Sequence, residues 1–276
     1  MARTLVYCTW VSQGVLPEIS RLFQVFPVVG IEPIPHAEQP DRRVRRIGIV
    51  VAMQAEARCI ARQHFQLQQP VIVRDKLIVT LCGMGAQAAQ RAAVALADRI
   101  DVVALISFGV AGALDAGLRS GDLVVPTSVV AEQIYATNDG LRVNLVHRLS
   151  GEVNVIDGIL ATSQQLLTSE QEKLALAISK GACAVDMESS AIATVAADRN
   201  ISFMAVRAIT DPVQYSPPAV LLGALHADGR VKPLPLLALL LRRQIQLAEL
   251  LRLGSGMRAA SATLKTAIRQ METLLD

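Results

Sequence analysis

The chain has 276 residues and a formal net charge of +3, with 52% hydrophobic, 18% charged and only 3% aromatic residues. That apolar share excludes a disordered chain, and the length allows one large domain with a substantial core. So few aromatics argue against a single-strand nucleic-acid binder, which needs stacking platforms.

The 27 basic residues are nearly matched by 24 acidic ones, so the charge balance names no nucleic-acid partner. The one tight basic cluster, Arg42, Arg43, Arg45 and Arg46, reads as a solvated linker ahead of the first core strand. Cys8, Cys59, Cys82 and Cys183 show no CxxC spacing, and the histidines are scattered. Neither a metal site nor a disulfide framework is expected. Cys82 and Cys183 read as small buried hydrophobes, a usage that suits a cytoplasmic setting. No uncharged apolar run reaches 18 residues, so no membrane span is expected. Thr9, Ser12 and Gln13 interrupt the first apolar stretch, which argues against a cleavable signal peptide.

In chain order, residues 1–44 hold Pro17, Pro27, Pro33, Pro35 and Pro40, a density that resists helix and interior strand alike. They are read as an irregular extension. From Arg46 a β-branched apolar run to Met53 predicts a strand, followed by a helix over 55–64. Strands follow at 76–82, 102–108, 123–130, 158–162, 181–187 and 202–209, with helices at 86–98 and 188–199. Strands alternating with helices predict a single α/β domain with a mixed, mostly parallel central sheet covered on both faces. Beyond Pro233 the chain reads as helical, Leu-rich to Leu253 and then more polar from Met257 to Leu275. The expected organisation is an extension (1–44), an α/β domain (45–253) and a helical C-terminal tail (254–276).

Gly83-Met-Gly85 between a strand and a helix has the look of a dinucleotide fingerprint. The acid that should end the next strand is missing, because Asp101 precedes its strand. A glycine-rich turn beside a ligand or a helix is the simpler reading. Three acids, Glu56, Glu188 and Asp211, follow predicted strands, where open α/β sheets bind ligands. Each also has a structural explanation, in a first helical turn for Glu56 and Glu188 and in a turn before Pro212 for Asp211. Their shared placement favours a common cleft.

The segments Ile47–Glu56, Ser107–Leu114, Gly121–Val125, Ala184–Ala193 and Arg207–Asp211 occur in the order that resembles the nucleoside phosphorylase and nucleosidase superfamily. Within it, Ser-Phe-Gly-Val-Ala-Gly (107–112), Val-Asp-Met-Glu-Ser (185–189) and Asp211-Pro212 with Pro217-Pro218-Ala219 resemble the branch associated with hopanoid biosynthesis. The resemblance implies cleavage of the N-glycosidic bond of an adenosylated substrate with release of adenine. Adenosylhopane leads, and methylthioadenosine or S-adenosylhomocysteine is the alternative, as is another purine nucleoside. A non-catalytic nucleoside-binding protein on the same fold has no need of a proton donor.

The resemblance also assigns roles. Asp211, with Thr210 beside it, matches the residue that protonates the purine, and a carboxyl does so near neutral pH only where burial raises its pKa. Glu188 with Met187 matches the ribose grip. Glu56 matches the base that activates water, and Gly83, Gly109, Val110, Leu166 and Leu167 match substrate-lining positions. Val110 replaces a family Ser, and Leu166 stands where an aromatic commonly packs on the base. No cofactor is implied, and inorganic phosphate remains open as a co-substrate with Arg58 and Arg119 as its candidate ligands, although a carboxylate at Glu56 would repel it. A small-molecule or lipid-linked nucleoside is the expected ligand and a homo-oligomer the expected assembly. The leucines of 234–253 fit either core packing or peripheral contact with a lipid or membrane surface.

Overall fold

A computed structural model describes residues 45–272 and Leu274, so the reading of residues 1–44 lies outside the described residues. The elements run β1 (Arg46–Val51), α1 (Gln54–Ile60), β2 (Pro70–Arg74), β3 (Leu77–Leu81), α2 (Ala86–Ala97), β4 (Val102–Ala113), β5 (Leu123–Val124), β6 (Ser128–Val130), β7 (Ile134–Ala136) and α3 (Asp139–Leu149). They continue with β8 (Val155–Ile156), β9 (Ile159–Thr162), α4 (Glu170–Lys180), β10 (Ala184–Asp186), α5 (Ser189–Asp198), β11 (Ser202–Asp211), a 3-10 turn (Ala219–Ala224), α6 (Pro233–Leu241) and α7 (Leu247–Met271).

Period-two alternation explains why the sheet lies in the middle. Ile47, Ile49 and Val51 of β1 pack into one apolar cluster, while Val50 and the adjoining Ala52 pack into another. In β3, Leu77, Val79 and Leu81 face the first cluster and Ile78 the second. A strand apolar at every position must be covered on both faces. Helices α1, α3 and α7 cover one face through residues such as Ile60, Leu145 and Leu264. Helices α2 and α5 cover the other through Ala89, Ala93, Ile192 and Ala196, small side chains that let the helices lie close.

Neighbouring strands follow the order β2-β3-β1-β4-β10-β9-β6-β7, with β11 beside β4 and β5, and β8 beside β5. β1 runs parallel to β3 and β4, and β11 runs parallel to β4. The expected mixed, mostly parallel sheet flanked by helices is therefore observed. β4 outruns its neighbour: pairing with β1 ends at Ser107, and further on Gly112 and Ala113 pair antiparallel with β10. The strand expected over 102–108 thus continues to Ala113.

Several elements were not legible. Asn138-Asp139-Gly140 reads as a turn, yet Asn138 caps α3 by accepting a hydrogen bond from the Leu141 N–H at 3.0 Å. Ser169 caps the equally unforeseen α4 through the Glu172 N–H at 3.2 Å. The strand expected over 123–130 splits into β5 and β6 around Pro126, which has no N–H for a sheet ladder.

The C-terminal reading needs correction. The Leu-rich helix stops at Leu241, and α7 then runs unbroken through 253–254, where a change of element was expected. Its buried residues Gly256, Ala260, Thr263, Leu264, Ala267 and Ile268 form one stripe at helical spacing. Gly256 sits in the helix because a Cβ there would collide with the Thr210 carbonyl of β11. At Gly254 nothing lies within 4 Å of a modest added methyl group.

The two glycines therefore predict opposite effects in denaturant unfolding. Gly256→Ala is expected to destabilise the protein by about 1–3 kcal/mol through overpacking. Gly254→Ala should stabilise it by about 0.5–1 kcal/mol through helix propensity.

Candidate active site

The extension of β4 beyond β1 creates the site. Gly109 lies in this extension, and a Cβ on it would overlap both the Glu56 carboxylate and the Arg207 guanidinium. Three positions on, a Cβ on Gly112 would press on Asp211 Oδ2 at 3.0 Å. Two glycines in an extended strand thus let three charged side chains lie against the backbone.

Glu56 belongs to the first turn of α1. Its Oε2 accepts hydrogen bonds from the N–H groups of Ala52 at 2.9 Å and Met53 at 2.8 Å, so it does serve its own helix start. Its Oε1 reaches across to β4 and accepts from the Val110 N–H at 2.9 Å. Oε2 is saturated, whereas Oε1 keeps one acceptor position free. Burial raises the pKa of this carboxyl, against the opposing pull of Arg207 and the three N–H donors.

Glu188 occupies the N-cap position of α5 but makes no side-chain bond to that helix. It instead accepts the Gly85 N–H at 2.8 Å, the donor left over at the start of α2. Gly83 and Gly85 have φ of 87° and 98°, which glycine tolerates without strain. The glycine turn therefore binds a carboxylate of the same chain. Asp101, the acid that a dinucleotide fold would need, is paired with Arg46 at 2.5 Å and with Arg99 at 3.0 Å. Among the described residues, Oε2 of Glu188 makes no hydrogen bond. Burial, with Asp186 and Glu56 nearby, lifts Glu188 to about 7 despite Arg207.

Arg207 binds these groups together and was given no role by the sequence. It is 2% exposed in the middle of β11. Its Nη2 lies 2.7 Å from Asp186 Oδ2 and donates to Ser107 Oγ at 2.6 Å and Ser189 Oγ at 3.1 Å. Burial works against its charge, but Asp186, Glu188 and Glu56 outweigh it and raise the pKa further. A cation in an otherwise apolar strand was the available signal. Arg58 and Arg119 are exposed instead.

Asp211 ends β11 after a register shift between Ile209 and Asp211. The extra residue, Thr210, re-aims the carboxylate. Thr210 Oγ1 donates to Asp211 Oδ1 at 2.7 Å. Oδ2 accepts from Lys173 Nζ of α4 at 2.5 Å. Nothing in the sequence distinguishes Lys173 from the solvated charges around it. A cavity beside this pair is lined by Leu166, Leu167, Met187, Lys173, Asp211 and Pro217. Asp186 also lines it and touches Arg207, which joins this cavity to the Glu56–Glu188 cluster.

The expected residues thus fall into one connected region. Asp211, Met187, Leu166 and Leu167 surround the cavity, with Thr210 bonded to Asp211. Glu56, Gly109, Val110 and Glu188 surround Arg207, and Gly83 adjoins the Gly85 donor to Glu188. Among the described residues no cluster of three or more His, Cys, Asp or Glu could hold a metal ion. No described helix is long and apolar enough to cross a membrane.

A three-layer α/β sheet with buried carboxylates at the ends of its parallel strands defines an enzyme-like cleft, and comparison gives it a family. The model of the phosphorylase superfamily matches residues 46–219. The chain belongs to that superfamily. It is similar to the 5'-methylthioadenosine/S-adenosylhomocysteine nucleosidase of Thermotoga maritima, at 26% identity over 52% of this chain and 70% of the relative. The Listeria monocytogenes nucleosidase of the same name is 24% identical over 60% of this chain and 85% of the relative. The fold is shared with the Helicobacter pylori nucleosidase (TM-score 0.63, 18% identity, 83% of this chain and 98% of that one). It is shared as well with futalosine hydrolase of the same organism (TM-score 0.62, 17% identity, 83% and 97%).

A pH dependence follows from Glu188. Its folded pKa of about 7 lies above the ordinary 4.5, so its contribution to stability is full below about 4.5 and is lost as pH rises through about 7. The thermal midpoint should fall between about pH 4.5 and about pH 7, and Glu188→Gln should remove part of that fall in a pH series of melting curves.

Proposed function

We propose that this protein, an N-ribosyl-cleaving enzyme of the phosphorylase superfamily, hydrolyses the N-glycosidic bond of an adenosylated substrate and releases adenine. One observation carries the proposal: Asp186 lines the cavity beside Asp211 and lies 2.7 Å from Arg207, so that cavity adjoins the Glu56–Glu188 cluster.

Breaking the bond leaves an oxocarbenium-like sugar and a purine that must be neutralised. Asp211 delivers the proton to the purine, steadied by Thr210, with Leu166, Leu167 and Met187 flanking the base. Glu188 accepts the ribose hydroxyls through its unengaged oxygen, and its charge faces the developing cation. Glu56 takes a proton from the attacking water through the acceptor position left on Oε1, and its raised pKa makes it the stronger base. Gly109 gives that carboxylate its space, and the Val110 N–H orients it. These groups perform the reaction without a cofactor. Water is favoured over phosphate because the buried cation, Arg207, is already committed to Asp186, and Glu56 repels an incoming anion.

For the substrate we favour adenosylhopane, on the resemblance of segments 107–112, 185–189 and 211–219. The apolar surface of α6 supports this, since Leu234, Leu237 and Leu241 share one helical face and are all exposed. Such a face fits peripheral contact with a lipid. A second reading, methylthioadenosine or S-adenosylhomocysteine, is supported by the names of the relatives. A cytoplasmic homo-oligomer is proposed on the superfamily resemblance alone.

The test is adenine release from adenosylhopane and from methylthioadenosine, each with and without phosphate. Release from the lipid nucleoside without phosphate is expected. Turnover of methylthioadenosine alone would sink the lipid reading, and a phosphate requirement would overturn hydrolysis. Asp211→Asn should lower kcat by about 10²–10⁴-fold, the usual worth of a positioned acid.

A further inference from the structure

We propose that Lys173 is the source of the proton that Asp211 delivers, a positioning residue that acts through the carboxylate rather than on the substrate. The inference rests on the reading of Asp211 as proton donor and deepens it.

Lys173 is 1% exposed, a rare state for a lysine and a costly one unless every hydrogen is bonded. The requirement is met in full. Nζ donates to Asp211 Oδ2 at 2.5 Å, to the Tyr215 carbonyl at 2.7 Å and to the Pro212 carbonyl at 3.1 Å. An ammonium has three donors, so none remains for a ligand, although the side chain lines the cavity. Two of the three acceptors are backbone carbonyls, which cannot take a proton at working pH. Only the Asp211 carboxylate can.

The consequence is chemical. Asp211 Oδ2 is the acceptor in the 2.5 Å contact, so the proton shared there comes from Lys173. Transfer of that proton to Oδ2 leaves a neutral amine with two N–H groups, which still serve the two carbonyls. The freed nitrogen lone pair then accepts from the new Oδ2–H, so no hydrogen bond is lost. The neutral pair also removes two charges from a dry setting, where an ion pair gains little over its desolvation cost.

The full step balances. Lys173 Nζ first passes its proton to Asp211 Oδ2. The C1'–N9 bond then breaks, its electron pair enters the purine, and the Oδ2–H turns from Nζ to protonate N7. Water adds to C1' and gives its proton to Glu56. Solvent takes the Glu56 proton and returns one to Lys173 when the products leave. Thr210 keeps Oδ1 oriented at 2.7 Å throughout. Gly112, lacking a Cβ, leaves Oδ2 open to the lysine.

Two substrates and three variants test this. An adenine nucleoside needs a proton on its leaving group, whereas 4-nitrophenyl riboside departs as a phenolate and needs none. Lys173→Gln keeps the length of the side chain but carries no transferable proton. Lys173→Arg keeps the charge, but a guanidinium cannot be deprotonated in proteins. Both are expected to lose about 10²-fold or more in kcat on the adenine nucleoside while cleaving the nitrophenyl riboside within about threefold of wild type, as loss of a proton source should.

The adenine reaction of Lys173→Gln should also recover in acid, where solvent supplies the missing proton, while wild type stays flatter. A loss common to both substrates, failure to fold included, makes Lys173 structural and overturns the proposal. Unchanged adenine release by either variant, or a Lys173→Gln pH profile parallel to wild type, overturns it too. Asp211→Asn separates the two levels. If that variant is slow on adenine nucleoside while the Lys173 variants are not, the lysine inference alone falls. If Asp211→Asn is itself unimpaired, the proton-donor reading falls with it.

Discussion

One guanidinium lets carboxylates exist inside an apolar sheet. Asp186, Glu188 and Glu56 are all buried, and an unpaired carboxylate there would protonate rather than stay charged. Arg207 faces all three from the middle of β11 and offers a planar set of donors that an ammonium could not match. Asp186, Ser107 and Ser189 fix its plane. Its removal would leave buried like charges facing one another, a loss on the order of 3–5 kcal/mol. Even so, Arg207 does not fully offset burial at Glu56 or Glu188, whose pKa values stay raised. The balance leaves Glu56 more basic than an ordinary carboxylate and Glu188 poised near 7.

Close approach is the second constraint. Gly109 admits Glu56 and Arg207, Gly112 admits Asp211, and Gly256 lets α7 press on the Thr210 carbonyl. The bulge at Thr210 sits under that contact, so the long helix and the Asp211 end of β11 are packed as one piece. A glycine inside a helix is ordinarily unfavourable. Here it exchanges local propensity for a contact that a side chain would prevent.

The layered α/β architecture was readable because it depends on local pattern. β1 from Ile47 to Val51, and β3 at every position but Thr80, carry no polar side chain, and that signature survives any change in the surroundings. The ends of β4 and α7 were not readable. Gly109 and Gly112 look like a loop until Glu56, Arg207 and Asp211 are seen to need the space, and Gly254 and Gly256 look like a helix break for the same reason. Asn138 and Ser169 begin α3 and α4. The helices they begin were missed because Asp139-Gly140 imitates a turn and α4 shows a polar, surface-like face.

Glu56, Glu188 and Asp211 were picked out by their position after strands, which is a matter of sequence order, and the structure gathers them into one connected region. Arg207 stood in a quoted motif, its charge out of place among apolar neighbours. Lys173 had no signal at all: among Glu170, Gln171 and Glu172 it is one more helix-surface charge, and only the folding of α4 against the end of β11 buries it on Asp211. Strand pattern and the residue types at strand ends are local properties, so the sequence by itself determined the layers of this protein and its three acids. Which charges meet in a dry interior depends on distances between distant segments. The ionic partners of those acids, and with them the raised pKa values of Glu56 and Glu188, were decided only by the tertiary structure.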